Sequence, residues 1–256
     1  MKAPAEWSQR LLRKGVLIPG TYRLFADWDF SLTTEENLVR GLEGRAATQG
    51  WDAEVLATVR RRVRDFPRMR SLITLAQRGM PMNDWRDCLR LWVGATEEPF
   101  HSFAMGWLFE EKVRGRSTIR SEELVPVVDA AASRRPGKAA PISDYSRIRA
   151  ARDLLKTATD LGMIEGTGPA RAYSGIAMSD DVLVYYVQLI AELEGDVSRV
   201  PDSKLWRLAY MTPQDVQLML LHLHQFKRLD YQLAGSLVQI TLPAFSADQY
   251  AQQVAL

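Results

Sequence analysis

Pro141–Gly175 reads PISDYSRIRAARDLLKTATDLGMIEGTGPARAYSG, and the rest of the chain is arranged around it. Ser143 stands where a helix N-cap belongs, and Gly162 stands where a helix stops. Between them the helical period puts Ile148, Ala151, Leu155 and Ala158 on one side, with Leu154 and Leu161 beside them. Arg149, Arg152 and Lys156 lie opposite, with Tyr145 near them, whereas Arg147 falls on the apolar side. A helix that packs by one face and offers cations from the other meets the requirement for docking in a DNA major groove. Its cations would pair with phosphates or reach guanine edges.

The glycine-rich GMIEGTGPARAYSG that follows reads as a short hairpin with Arg171 at or near its tip. Helix then hairpin is the working half of a winged helix-turn-helix, in which the wing touches the neighbouring backbone or the minor groove. An amphipathic helix and loop in a protein-docking module has the same pattern, so the sequence leaves both readings open.

Upstream, residues 1–30 read as a short amphipathic helix (Trp7, Leu11, Leu12) and an irregular aromatic segment, TYRLFADWDF, whose rings dock on a neighbouring element. From Ser31 to Arg116 the pattern is helical. Thr33 or Thr34 caps LTTEENLVRGLEG, with carboxylates in its first turn. Trp51 to Phe66 carries Val55, Leu56, Val59, Val63 and Phe66 on one stripe and is expected to end at Pro67. Its other side presents Arg60, Arg61 and Arg64, continued by Arg68 and Arg70, with Asp65 as the intervening carboxylate. A solvated charged face and a phosphate-facing surface both fit such a run.

Further helices are expected over Met69 to Arg78 and Asn83 to Val93. Another should start near Thr96, with Glu97 and Glu98 in its first turn and Phe100, Phe103, Trp107 and Leu108 as its core stripe. Ser121 to Ala132 reads as a Ser-capped helix with Pro126 near its start. The linker SRRPGKAAP brings Arg134, Arg135 and Lys138 together as a basic loop.

Downstream, Ser179 caps the hydrophobic DDVLVYYVQLIAELEG, and a short helix follows at about Ser203 to Tyr210. In MTPQDVQLMLLHLHQF, Thr212 is the cap and Pro213 the first helical residue. Leu229, Tyr231 and Leu233, then Val238, Ile240 and Leu242, alternate as strands across Gly235-Ser236, a two-residue link suited to a type II′ turn. The expected fold is therefore mainly α: a helical N-terminal bundle (1–117) and two winged-helix-like units with short β-hairpin wings (118–178 and 179–256). The second unit offers His222, His224 and Gln225 with only Lys227 and Arg228 as cations, which suits partner docking better than DNA.

Composition narrows the function. The formal net charge is +2, so any nucleic-acid contact requires cations gathered on one face. A single cysteine, Cys88, excludes an internal disulfide, leaves too few thiols for a zinc site, and sits among apolar residues at helical spacing. His222 and His224 are two residues apart, a poor spacing for a helical metal site. No phosphate-binding loop, nucleophile elbow or H-E-x-x-H helix is present. No leader-type apolar segment opens the chain, and Val182 to Ala191 is too short for a membrane span. These features predict a cytoplasmic, non-enzymatic protein without cofactor or metal.

An Arg-rich helix, the block WRDCLRLWVGATEEPFHSFAMGWLFEEKVRG, the acidic IRSEELVPVV and the unit SDYSRIRAARDLLKTATDLGMIEG follow one another over roughly residues 20–195. This order resembles the BrxA family, small accessory proteins of bacteriophage-exclusion (BREX) systems. The resemblance rests on element order and hydrophobic pattern. It implies a non-enzymatic, double-stranded-DNA-binding component of a phage-defence operon that works alongside a methyltransferase, an ATPase and a phosphatase-like protein. The family carries no catalytic motif to transfer. A winged-helix transcriptional regulator and a protein-interaction scaffold are the alternatives.

Overall fold

The computed structural model describes residues 6–7, 15–41, 57–60, 62–63, 66–134, 142–235 and 237–254. It is mainly helical, with small sheets between the helices. Glu6–Trp7 (β1) is extended, so Trp7 does not lie in the expected helix; Leu11 and Leu12 fall outside the described residues.

Ile18–Ala26 (α1) takes in much of the aromatic segment expected to be irregular, because Pro19 in its first turn needs no intrahelical N–H partner. The expected docking of its rings is seen. Tyr22 and Phe25 meet Trp85 edge-on, at centroid distances of 5.3 and 5.9 Å. Thr34–Arg40 (α2) begins with a capping box in which Thr33, not Thr34, accepts from Glu36 N–H while the Glu36 carboxylate takes the Thr33 N–H. Thr33→Ala is expected to cost about 1 kcal/mol, read as a lower urea midpoint at unchanged slope.

Residues 57–60 are helical, with Val59 and Val63 buried; Val55, Leu56, Arg61 and Arg64 lie outside the described residues. Phe66–Gln77 (α3) corrects the expected stop at Pro67, which instead occupies the first turn of a new helix, where a missing backbone N–H is tolerated. Met82–Thr96 (α4) buries Trp85, Cys88, Leu89 and Trp92. Glu97–Glu98 (β2) is a short strand rather than a first turn, and it pairs in parallel with β1. The next helix (α5) runs through Phe100–Ser102, a π-helical Phe103–Leu108 and Phe109–Val113.

Thr118–Arg120 (β3) leads into a tight turn at Ser121–Leu124 and Val125–Ser133 (α6). Ser121 is not the expected cap; the Arg120 N–H donates instead to the Glu123 carboxylate at 2.7 Å. Asp144–Asp160 (α7) is capped by Ser143, as expected. It closes with the Gly162 N–H on the Thr159 carbonyl at 3.0 Å and the Met163 N–H on the Ala158 carbonyl at 2.9 Å. Ile164–Glu165 (β4) and Ala170–Tyr173 (β5) follow, and the antiparallel sheet runs β3-β5-β4.

Gly162 has φ +70°, and a Cβ there would lie 2.8 Å from Cζ of Arg86. Gly162→Ala is thus opposed by backbone strain and by a guanidinium in the way. A loss of roughly 1–2 kcal/mol is expected from the backbone term alone, measurable by thermal melting.

Asp180–Glu194 (α8), a 3₁₀ segment at Lys204–Ala209, Pro213–Gln225 (α9) and the strands Asp230–Ala234 (β6) and Leu237–Thr241 (β7) follow the expected order. Gly235 is in the left-handed region (φ +63°) at the hairpin turn. Ala247–Gln253 (α10) was not anticipated, and it packs on α3 and α8. Thr74 Oγ1 donates to Asp248 at 2.9 Å, and the Arg70 guanidinium pairs with Asp248 at 3.3 Å while stacking on Phe30 at 4.3 Å. Arg70 therefore anchors the C-terminal helix and does not continue an open basic face. The buried core is one cluster from Val16 to Val254, continuous across the expected boundaries at 117 and 178.

Candidate nucleic-acid interface

α7 buries Ala150, Ala151, Leu154, Leu155, Thr157 and Ala158. Its opposite face carries Arg149, Arg152 and Lys156 in solvent, together with Tyr145 at 71% exposure. The cationic face drawn from the sequence is thus the exposed one, whereas Ile148, expected on the buried side, is 46% exposed. Arg147 behaves as its position on the apolar side requires. Its guanidinium takes Asp129 of α6 at 2.6 Å and Asp144 at 2.9 Å, and these carboxylates hold its pKa above the ordinary value.

The three cations are not equivalent. The Lys156 ammonium pairs with Asp160 at 2.6 Å, and Asp160 also accepts the Val16 N–H at 3.4 Å. Much of its charge is met within the protein. Arg149 and Arg152 close no ion pair among the described residues. Beside Arg152 an open groove of about 480 Å³ runs between α6 and α7, lined by Ser121, Glu122, Val125, Asp144, Arg147, Ile148 and Arg152. The Glu122 carboxyl is held below its ordinary pKa by its own backbone N–H and the Ser121 hydroxyl, with smaller contributions from Arg120 and Arg152.

Arg171 is not at the hairpin tip. It lies within β5 opposite Ile119, and its Nη1 reaches back to the Leu155 carbonyl at 2.9 Å and to Thr159 Oγ1. The tip itself is 166–169, exposed and without a cation. A half-buried Arg171 with its donors on α7 fixes the hairpin to the helix. The exposed cation of this sheet is Arg120, opposite Ala170 next to the tip. Sequence reading missed it by placing IRSEEL on a capped helix. The signal was the alternation of Thr118, Ile119 and Arg120, of which only Ile119 points inward.

The other predicted cations divide differently. Arg60 is held bidentately by Glu35, with Nε at 2.9 Å and Nη2 at 2.5 Å, so it is compensated rather than open. Its neighbour Arg62 is buried, bonding Glu97 at 2.8 Å and the Val16 carbonyl at 2.6 Å. Arg134 ends α6 and donates to Ser102 Oγ at 2.9 Å. Arg61, Arg64, Arg135 and Lys138 lie outside the described residues.

Elsewhere, burial pushes the Cys88 thiol well above its ordinary pKa, consistent with a packed side chain. His222 pairs with Asp180 at 2.9 Å and His224 with Asp230 at 3.3 Å. Among the described residues there is no cluster of metal-ligating side chains and no helix long and apolar enough to cross a membrane. Comparison of the chain with family models, with curated proteins and with solved structures gives no match.

Proposed function

We propose that the protein is a non-enzymatic, double-stranded-DNA-binding accessory protein of a bacterial phage-defence system, with α7 as its groove-facing helix and β4–β5 as its wing. One observation carries this reading: the order α5–β3–α6–α7–β4–β5, with β5 central in a β3-β5-β4 sheet, is the element order of a winged helix-turn-helix. The helix that such a unit inserts into the groove is here the one with two arginines on its solvent face that close no ion pair among the described residues. The phase of that face supports DNA over a protein partner, because phosphates are the ligands that unpaired guanidinium groups match. The assignment to phage defence rests on the sequence resemblance to the BrxA family.

The test is fluorescence anisotropy of the full chain with two unrelated duplexes at low and moderate salt. Comparable affinity for both duplexes, falling steeply with salt, is expected. A preference for one palindromic duplex would turn the reading toward a transcriptional regulator, and absence of binding at low salt would overturn it in favour of protein docking.

A further inference from the structure

The outer face of α7 holds more than cations. At the helical period Tyr145, Ile148, Arg149, Arg152 and Lys156 fall within an arc of about 100°. All five are exposed, Tyr145 at 71% and Ile148 at 46%. Of the apolar stripe expected to pack inward, Ala151, Leu154, Leu155, Ala158 and Leu161 are buried, and Ile148 is the member left in solvent. Asp144, the carboxylate of the first turn, lies outside the arc and is tied to Arg147 at 2.9 Å. A phenol ring and a branched aliphatic chain thus stand one turn before Arg149 and Arg152 on the same face.

Phosphate contact uses neither of them. Phosphate oxygens pair with guanidinium and ammonium groups, and an isoleucine side chain offers them no donor. Position along the helix supplies the second half of the argument. A recognition helix meets base edges with its N-terminal residues, and Tyr145 and Ile148 lie in the first two turns of α7. Among the four bases of DNA only thymine presents an apolar group in the major groove, its C5-methyl. The arginines of the same arc call for a polyanion, and duplex DNA is the one that also sets methyl groups between its rows of phosphates. Double-stranded RNA offers no such match, since its major groove is too deep and narrow to be read and uracil has no methyl.

We infer that Ile148 and Tyr145 rest on thymine C5-methyl groups in the major groove, so that affinity rises with the thymine content of the duplex. This inference rests on the reading of α7 as the groove-facing helix. A preference graded in this way leaves unrelated duplexes of equal thymine content comparable in affinity.

Fluorescence anisotropy of the full chain with two duplexes tests it. One is rich in thymine; the other has the same sequence with uracil in place of every thymine, which removes the methyl groups and keeps charge and pairing. The unaltered protein should bind the uracil duplex more weakly, by about fourfold per contacted methyl. The salt slope should be the same for both, because the phosphates are the same. The double variant Tyr145→Ser/Ile148→Ala should bind the thymine duplex as weakly as the unaltered protein binds the uracil one, and should not distinguish the two. Both positions are exposed, and unchanged far-ultraviolet circular dichroism verifies that the variant folds. Salt-sensitive binding of both duplexes with equal affinity would overturn the inference while the DNA reading stands. A double variant that still prefers thymine would also overturn it, and absence of binding to either duplex at low salt would overturn both.

Discussion

Asp87→Ala is expected to cost roughly 3–5 kcal/mol of folding stability, the scale on which a buried ion pair is missed when one partner is removed. Arg90 is fully buried on α4, and its Nη1 meets Asp87 at 2.8 Å and the Leu161 carbonyl at 3.1 Å. Burial works against its charge, yet the nearby Tyr186 hydroxyl and Asp87 keep its pKa above the ordinary arginine value. Its Nε already lacks a partner. Removing the carboxylate would leave a cation in the core with a carbonyl, the Met178 sulfur and the Tyr186 hydroxyl but no anion bonded to it. Urea denaturation should show a midpoint shift that consumes much of the 5–15 kcal/mol typical of a folded protein. Asp87→Leu combined with Arg90→Met should recover most of that loss, since an apolar pair needs no compensation. A loss under about 1 kcal/mol for Asp87→Ala, well below the buried-pair scale, would show that this pair contributes little. The pair also bears on the candidate interface. Arg90 holds the last carbonyl of the α7 closing turn, where a cation complements the helix end.

The second large effect is expected on DNA. Replacing Arg149, Arg152 and Lys156 together by alanine should lower the slope of log affinity against log salt by up to about 3, close to one per lost phosphate contact, and weaken binding at moderate salt about a hundredfold. The single variants should not be equal. Arg149→Ala and Arg152→Ala remove exposed charge that closes no ion pair among the described residues and should each reduce the slope by about 1. Lys156→Ala should do less, because Asp160 already meets that ammonium at 2.6 Å. Arg171→Ala should leave the slope in place and lower stability instead, since it loosens the hairpin from α7. Anisotropy titrations at several salt concentrations, with melting temperatures for each variant, separate these outcomes. An unchanged slope for the triple variant would remove α7 from the interface.

Much of this was legible in the sequence because it depends on near neighbours. Thr33, Ser143, Ser179 and Thr212 cap helices through groups within one turn. The apolar phase of residues 144–160 fixes which side of α7 is buried, and with it the outward position of Arg149 and Arg152. The same phase marks Arg147 as inward. The hairpin at Gly235 follows from two alternating runs and the φ its turn requires.

Local pattern by itself thus determined most of the helices, the caps at Thr33, Ser143, Ser179 and Thr212, the cationic face of α7 and the turn at Gly235, since each rests on contacts spanning a turn or two. Only the tertiary structure decided where the arginines end. Arg60 finds Glu35, Arg62 finds Glu97, Arg70 finds Asp248, and Arg171 folds back on Leu155. A long guanidinium side chain on an amphipathic face can meet solvent or a carboxylate equally well. The choice is made by residues brought to it from distant parts of the chain, and no periodicity records them. The docking of α10 on α3 has the same origin, through Asp248 meeting Arg70 and Thr74. Of the cations singled out from the sequence, packing left Arg149 and Arg152 exposed on the outer face of α7 without an ion pair among the described residues.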